Sequence, residues 1–208
     1  NAYDNYYLAF PYLEKIRSGE VGTEELDNKV RNVLRLMYRT VMDKNRPLGS
    51  MCSEAHYAAA RKIGGEGIVL LKNEGGLLPM DMDNAGKILV VGENAIKMMT
   101  VGGGSSSLKV QREISPLDGI RERAGKNVKV VYERGYVGDV TGEYNGVTTG
   151  QDLSESRSAE QLIADAVAQA KDADYVIFVG GLNKSAHQDC EDSDRYGLGL
   201  PYGQDKVI

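Results

Sequence analysis

The chain is 208 residues long, 41% hydrophobic and 26% charged, a balance that suits a folded globular protein and argues against a fibrous or disordered one. Its net charge is −5 with both signs interspersed, so it lacks the basic stripe that grips a phosphate backbone, and nucleic acid is not an expected partner. No apolar run approaches the roughly 20 residues of a bilayer span. Cys52 and Cys190 are too few for a disulfide framework or a CxxC zinc site.

The first fifty residues offer helices and no strand. Pro11 to Arg17 reads as a short helix stopped near Gly19. From Gly22 to Lys44, Leu26, Val30, Val33, Leu34, Met37 and Val41 recur at helical spacing behind Thr23, a candidate N-cap followed by Glu24 and Glu25. Two helices cannot bury a core alone. Residues 1–44 are therefore expected to be the closing helices of a larger domain, and residues 45–52, with Pro47 and Gly49, the linker out of it.

Residues 53–208 are expected to form a second domain, continuing past the last residue given. Its first helix starts at Ser53 and is expected to run towards Leu71, weakened by Gly64, Gly65 and Gly67. The period then changes. Lys87 to Gly92 (KILVVG), Asn127 to Tyr132 (NVKVVY) and Asp174 to Gly180 (DYVIFVG) are short apolar runs of strand length. Helices opened by Ser115–Pro116 and by Ser158 separate them, and Gln204 to Ile208 reads as the start of another helix. Strands apolar on both faces and alternating with helices predict an α/β fold, a mostly parallel sheet covered on both sides. Ligands of such sheets sit beyond the carboxyl ends of the strands.

The loop after the third strand reads GGLNKSAHQDCEDSDRYGLGLPYGQ and packs His187, Asp189, Glu191, Asp192, Asp194 and Arg195 into nine positions. A strand ending in GGLN, an acidic Glu-x-x-Asp-Arg loop and a Leu-x-Leu-Pro-x-x-Gln segment resemble the second domain of glycoside hydrolase family 3. KVRNVLRLMYRTVM, GIVLLKNEGGLLP, KILVVGENA and VGGGSSS match in the same order, so nearly the whole chain takes part.

The resemblance implies a two-domain retaining glycosidase. A barrel, of which residues 1–44 are the end, supplies an aspartate nucleophile, and the α/β sandwich supplies the acid/base. The family motif puts that acid/base three positions before Asp-Arg, at Glu191, with Asp189 in reserve because this chain has Asp192 where many relatives have glycine. The neighbouring carboxylates should raise the Glu191 pKa, and Arg195 should pair with Asp194 and fix the loop.

Gly103, Gly104 and Ser105 of the glycine-serine loop and His187 are candidate substrate contacts. Any stacking platform from this chain has to be tyrosine, since it contains twelve tyrosines and no tryptophan. The implied substrate is a β-glycoside or oligosaccharide, with β-glucoside favoured, the implied compartment periplasmic or extracellular, and no cofactor or metal is called for. Three alternatives stay open: a flavodoxin-like or Rossmann-like module holding a phosphate on residues 102–107, a non-catalytic sugar-binding relative, and a metal held by His187, Asp189 and Glu191.

Overall fold

A computed structural model describes residues 10–100, 108, 110–138, 140, 143–144, 147–148, 150–185, 187–188 and 194–208. The chain divides into two compact units, Asn1–Glu66 and Gly67–Ile208.

The first unit contains helices α1 (Phe10–Arg17), α2 (Glu24–Arg39) and α3 (Glu54–Glu66). Helix α1 stops at Gly19, whose φ of +77° admits the left-handed cap that lets Glu20 N–H reach the Lys15 carbonyl at 3.0 Å. Helix α2 starts after Thr23, which sits at the N-cap without a side-chain cap bond. It ends before the expected Lys44 because the Thr40 hydroxyl bonds back to Leu36 O at 2.7 Å and the Asp43 carboxylate takes the Asn45 N–H at 2.9 Å, turning the chain. No residue of α1, α2 or α3 is buried, so the apolar stripe of α2, Val30, Val33 and Met37 included, faces outward. Helix α3 ends at Glu66, short of Leu71, where Gly67 and the β-branched pair Ile68–Val69 follow two interior glycines.

The second unit is built on three parallel strands in the order β2-β1-β5, namely β2 (Lys129–Glu133), β1 (Lys87–Val91) and β5 (Tyr175–Phe178). A two-stranded antiparallel ribbon, β3 (Glu143–Tyr144) with β4 (Val147–Thr148), lies apart from it. All five residues of the central strand β1 are buried. Ile88 and Val90 pack with Leu117, Ile120 and Ala124 of helix α4 (Pro116–Ala124), while Leu89 and Val91 pack with Ala166 and Ala170 of helix α5 (Ala159–Ala170). The strand alternation therefore assigns one helix to each face, which is the α/β sandwich the sequence predicts.

Both helices start where their caps predict. Ser115 accepts from Asp118 N–H ahead of Pro116, and Ser158 forms a reciprocal capping box with Gln161. The expected helix after Gln204 is instead one irregular 3-10 segment, Pro201–Lys206, because Tyr202 and Gly203 both hold positive φ. Among the described residues no helix is long and apolar enough to cross a membrane.

Candidate active site

Strand β1 ends in a turn that only glycine can make. Gly92 has φ +122°, and a Cβ there would fall 2.2 Å from the Val179 carbonyl oxygen on the neighbouring chain segment. The turn drops Glu93, Asn94 and Ala95 into full burial. The Glu93 carboxylate accepts from Lys97 Nζ at 3.1 Å, Arg134 Nη2 at 2.8 Å and the Gly138 N–H at 2.6 Å. Glu93 and Lys97 are both fully buried, and such a charge is tolerable only with its partners in place.

This cluster was not singled out from the sequence. Its local signal was available, since Glu93 and Lys97 stand four apart straight after a strand. Arg134, 41 residues from Glu93, gives no local sign. Arg134 also reaches Ser154 O, and the network continues outward through Glu155 to Arg157, Glu133 and Asp165. The paired Arg157 holds the Glu155 carboxyl down at about 2. Burial pushes the Tyr136 phenol up to about 12, so it stays neutral where it receives the Asn94 N–H at 3.4 Å.

Two loops leave this end of the sheet. The first contains Gly103, Gly104 and Ser105, which lie outside the described residues, but its stem is visible. Glu113 accepts from the Met99 N–H, from Thr100 N–H at 3.0 Å and from the Thr100 hydroxyl at 2.6 Å. Burial works to raise the Glu113 pKa, but the Thr100 and Met99 hydrogen bonds outweigh it and hold the carboxyl below its ordinary value.

The second loop follows β5. The Gln204 carboxamide, fully buried, accepts the Gly181 N–H at 2.7 Å and donates to the Gly181 carbonyl at 3.0 Å. Asn94 donates to Gly181 O at 3.2 Å and receives from Asn183 Nδ2 at 3.2 Å. Lys97 Nζ meets Ser185 Oγ at 3.1 Å, joining the buried ion cluster to this loop. Gln188 takes the Asn183 N–H at 2.9 Å and donates to the Tyr202 hydroxyl at 2.6 Å. Tyr202 has φ +60°, a left-handed position that costs a bulky side chain about 1–3 kcal/mol.

Glu191, Asp189, Asp192 and Cys190 lie outside the described residues, and the residues on either side of them are held. His187 stacks on Tyr196 with ring centroids 4.3 Å apart, shares a 2.8 Å hydrogen bond between Nε2 and the Tyr196 hydroxyl, and sets Nδ1 3.4 Å from Asp194 O. The Asp194 carbonyl thus faces the His187 ring. Among the described residues there is no group of three His, Cys, Asp or Glu side chains placed to hold a metal; two of the three residues of the candidate set, Asp189 and Glu191, lie outside them.

Residues 68–208 match the glycosyl hydrolase family 3 C-terminal domain. The chain belongs to glycoside hydrolase family 3. It is 44% identical to the beta-glucosidase BoGH3A of Bacteroides ovatus across 99% of this chain and 27% of that protein. It is 32% identical to the periplasmic beta-glucosidase of Salmonella typhimurium across 99% of this chain and 28% of that protein. Among solved structures, the family 3 beta-glucosidase of Bifidobacterium adolescentis superposes with a TM-score of 0.71 at 27% identity, covering 95% of this chain and 26% of that one. The chain thus spans about a quarter of the length of these family 3 relatives.

Proposed function

We propose that this chain provides the acid/base half of a retaining β-glycosidase, with Glu191 as proton donor and Asp189 as reserve. A second domain of the same protein supplies the aspartate nucleophile. The observation that carries the reading is the anchoring of the acidic loop: in a family 3 C-terminal domain, its flanks at Gln188 and at His187, Asp194 and Tyr196 are tied down beyond the end of β5. A general acid has to be held within hydrogen-bond reach of the leaving oxygen, so a secured loop is what such a carboxylate requires.

Retaining hydrolysis uses two carboxylates about 5 Å apart. The nucleophile attacks the anomeric carbon while Glu191 gives its proton to the departing oxygen. Glu191 then takes a proton from the water that releases the sugar. No step needs a metal or cofactor. The exposed stripe of α2 supports residues 1–44 as the last helices of the nucleophile-bearing barrel, with 45–52 leading out of it and the sandwich following from 53. Gly103, Gly104, Ser105 and His187 contact the sugar, and Asp194 and Arg195 shape the loop. The substrate is a β-glucoside, as the names of both curated relatives suggest, and the Salmonella relative's name supports a periplasmic setting.

The test is Glu191→Ala in the full-length enzyme. Turnover of glucosides with poor leaving groups should fall by about 10²-fold or more. Activated aryl glucosides should still glycosylate the nucleophile, and azide should restore release as a β-glycosyl azide. Uniform loss across leaving groups with no azide product would transfer the role to Asp189 or remove it from this loop.

A further inference from the structure

Gln188, just ahead of the acidic residues in the sequence, is bonded to a residue held in a conformation that side chains avoid. Tyr202 stands at φ +60° and ψ +22°, next to Gly203 at φ +66°, which adopts the same region without cost. A glycine would be easier at 202 as well, so what the tyrosine side chain does there is the informative question. Its hydroxyl receives the Gln188 carboxamide N–H at 2.6 Å, and the other end of that carboxamide accepts the Asn183 N–H at 2.9 Å. Its ring occupies the space over Gly138, where an added Cβ would come 3.0 Å from Tyr202 Cε2 and 2.6 Å from Glu93 Oε1. The Gly138 N–H in turn donates to Glu93. Tyr202 therefore connects the buried ion cluster at the end of β1 to Gln188, which is buried and stands three residues before Glu191 in the sequence.

We propose that Tyr202 is a positioning residue for the acid/base, acting through Gln188. This rests on the reading of Glu191 as proton donor. The strained backbone aims the phenol at the Gln188 amide, and that bond fixes Gln188, three positions ahead of Glu191. The role proposed for the hydroxyl is to hold Gln188, not to bind substrate. Its effect is confined to the step in which the loop's carboxylate gives up a proton, and it should scale with how much that step depends on protonation.

The experiment is Tyr202→Phe in the full-length enzyme, assayed on aryl β-glucosides of graded leaving-group basicity, with Glu191→Ala measured in parallel. Phenylalanine keeps the ring over Gly138 and removes only the hydroxyl. The expected result is a kcat loss of about tenfold for the most basic leaving group, the size of one hydrogen bond, and under about twofold for the most acidic, with KM changed by less than about twofold. Gln188→Met, which removes the donor from the other side, should reproduce the pattern and supplies the answer if the first variant folds poorly. Equal losses across the series, or none, in whichever of these variants folds would overturn the proposal and leave Tyr202 a packing residue. If Glu191→Ala itself shows no dependence on the leaving group, the acid/base reading fails. If it does and the Tyr202 and Gln188 variants do not, only the positioning role fails.

Discussion

The glycine-serine loop after β1 is closed at its stem by an ionised carboxylate near solvent, whereas the peptides Gly181 and Asn183 of the loop after β5 are held by two buried carboxamides, Gln204 and Gln188. Glu113 takes three hydrogen bonds from Met99 and Thr100, which favours its deprotonated form. Gln204 and Gln188 each donate and accept at once, so they satisfy both polar groups of a loop peptide or bridge two segments with no net charge. The difference teaches that the Met99 and Thr100 contacts depend on a carboxylate's charge, while the Gly181 and Asn183 contacts depend on groups that do not titrate. The second loop carries the proposed proton donor.

The largest disruption should come from Gly92→Ala, which strikes both loops. The added Cβ would meet the Val179 carbonyl at 2.2 Å in a backbone conformation closed to alanine. Thermal or denaturant unfolding should show a loss of more than about 3 kcal/mol, or no folded protein.

Next in size is Gln204→Leu. It removes the acceptor of the Gly181 N–H and one of the two donors to the Gly181 carbonyl, Asn94 remaining, and should cost about 2–3 kcal/mol by denaturant unfolding, with Gly181 amide exchange accelerated. A loss confined to the second loop, with Met99 and Thr100 amides still protected, would sharpen the contrast. A collapse of both would break it.

The smallest effect belongs to Glu113→Gln, about 1 kcal/mol at neutral pH. Here the sign follows from the depressed pKa. Folding favours the charged form, so the contribution is complete above the ordinary glutamate value of about 4.3 and disappears as the pH falls below it through the lowered folded value. Hydrogen exchange should show Met99 and Thr100 losing protection over that acid range in the native chain, and showing no such loss in the variant. Gly181 and Asn183 should hold theirs in both.

The strands and the caps of α4 and α5 were legible because their signals are local. An apolar run of four or five residues, or a serine three positions before a polar N3 residue, needs no knowledge of the rest of the chain. Lengths were less legible where a side chain competed with the helix: Thr40 and Asp43 end α2 early by bonding backbone groups themselves. The 3-10 segment at 201–206 escaped because nothing in the letters of Tyr202 announces a positive φ; that conformation depends on Gln188 and Gly138. The buried charges escaped for the related reason that Glu93 finds Arg134 only across the sheet. The acidic loop was visible as composition and Gln204 as the last letter of the Leu-x-Leu-Pro-x-x-Gln segment, but the contact of Gln204 with Gly181, and Gln188 altogether, were not, since both bonds join residues far apart in the letters.

The strand order β2-β1-β5 also bears on how the chain comes to be folded. Strand β1 is made first and is the most completely buried of the three. Its β2 partner follows after one helix, but β5 is separated from it by most of the domain; Lys87 and Asp174, which bond where the two strands start, are 87 residues apart. Parallel pairings closed over such distances form slowly, and their apolar strands are open to wrong partners meanwhile. On the ribosome, the strand with the most to hide waits longest for its second neighbour.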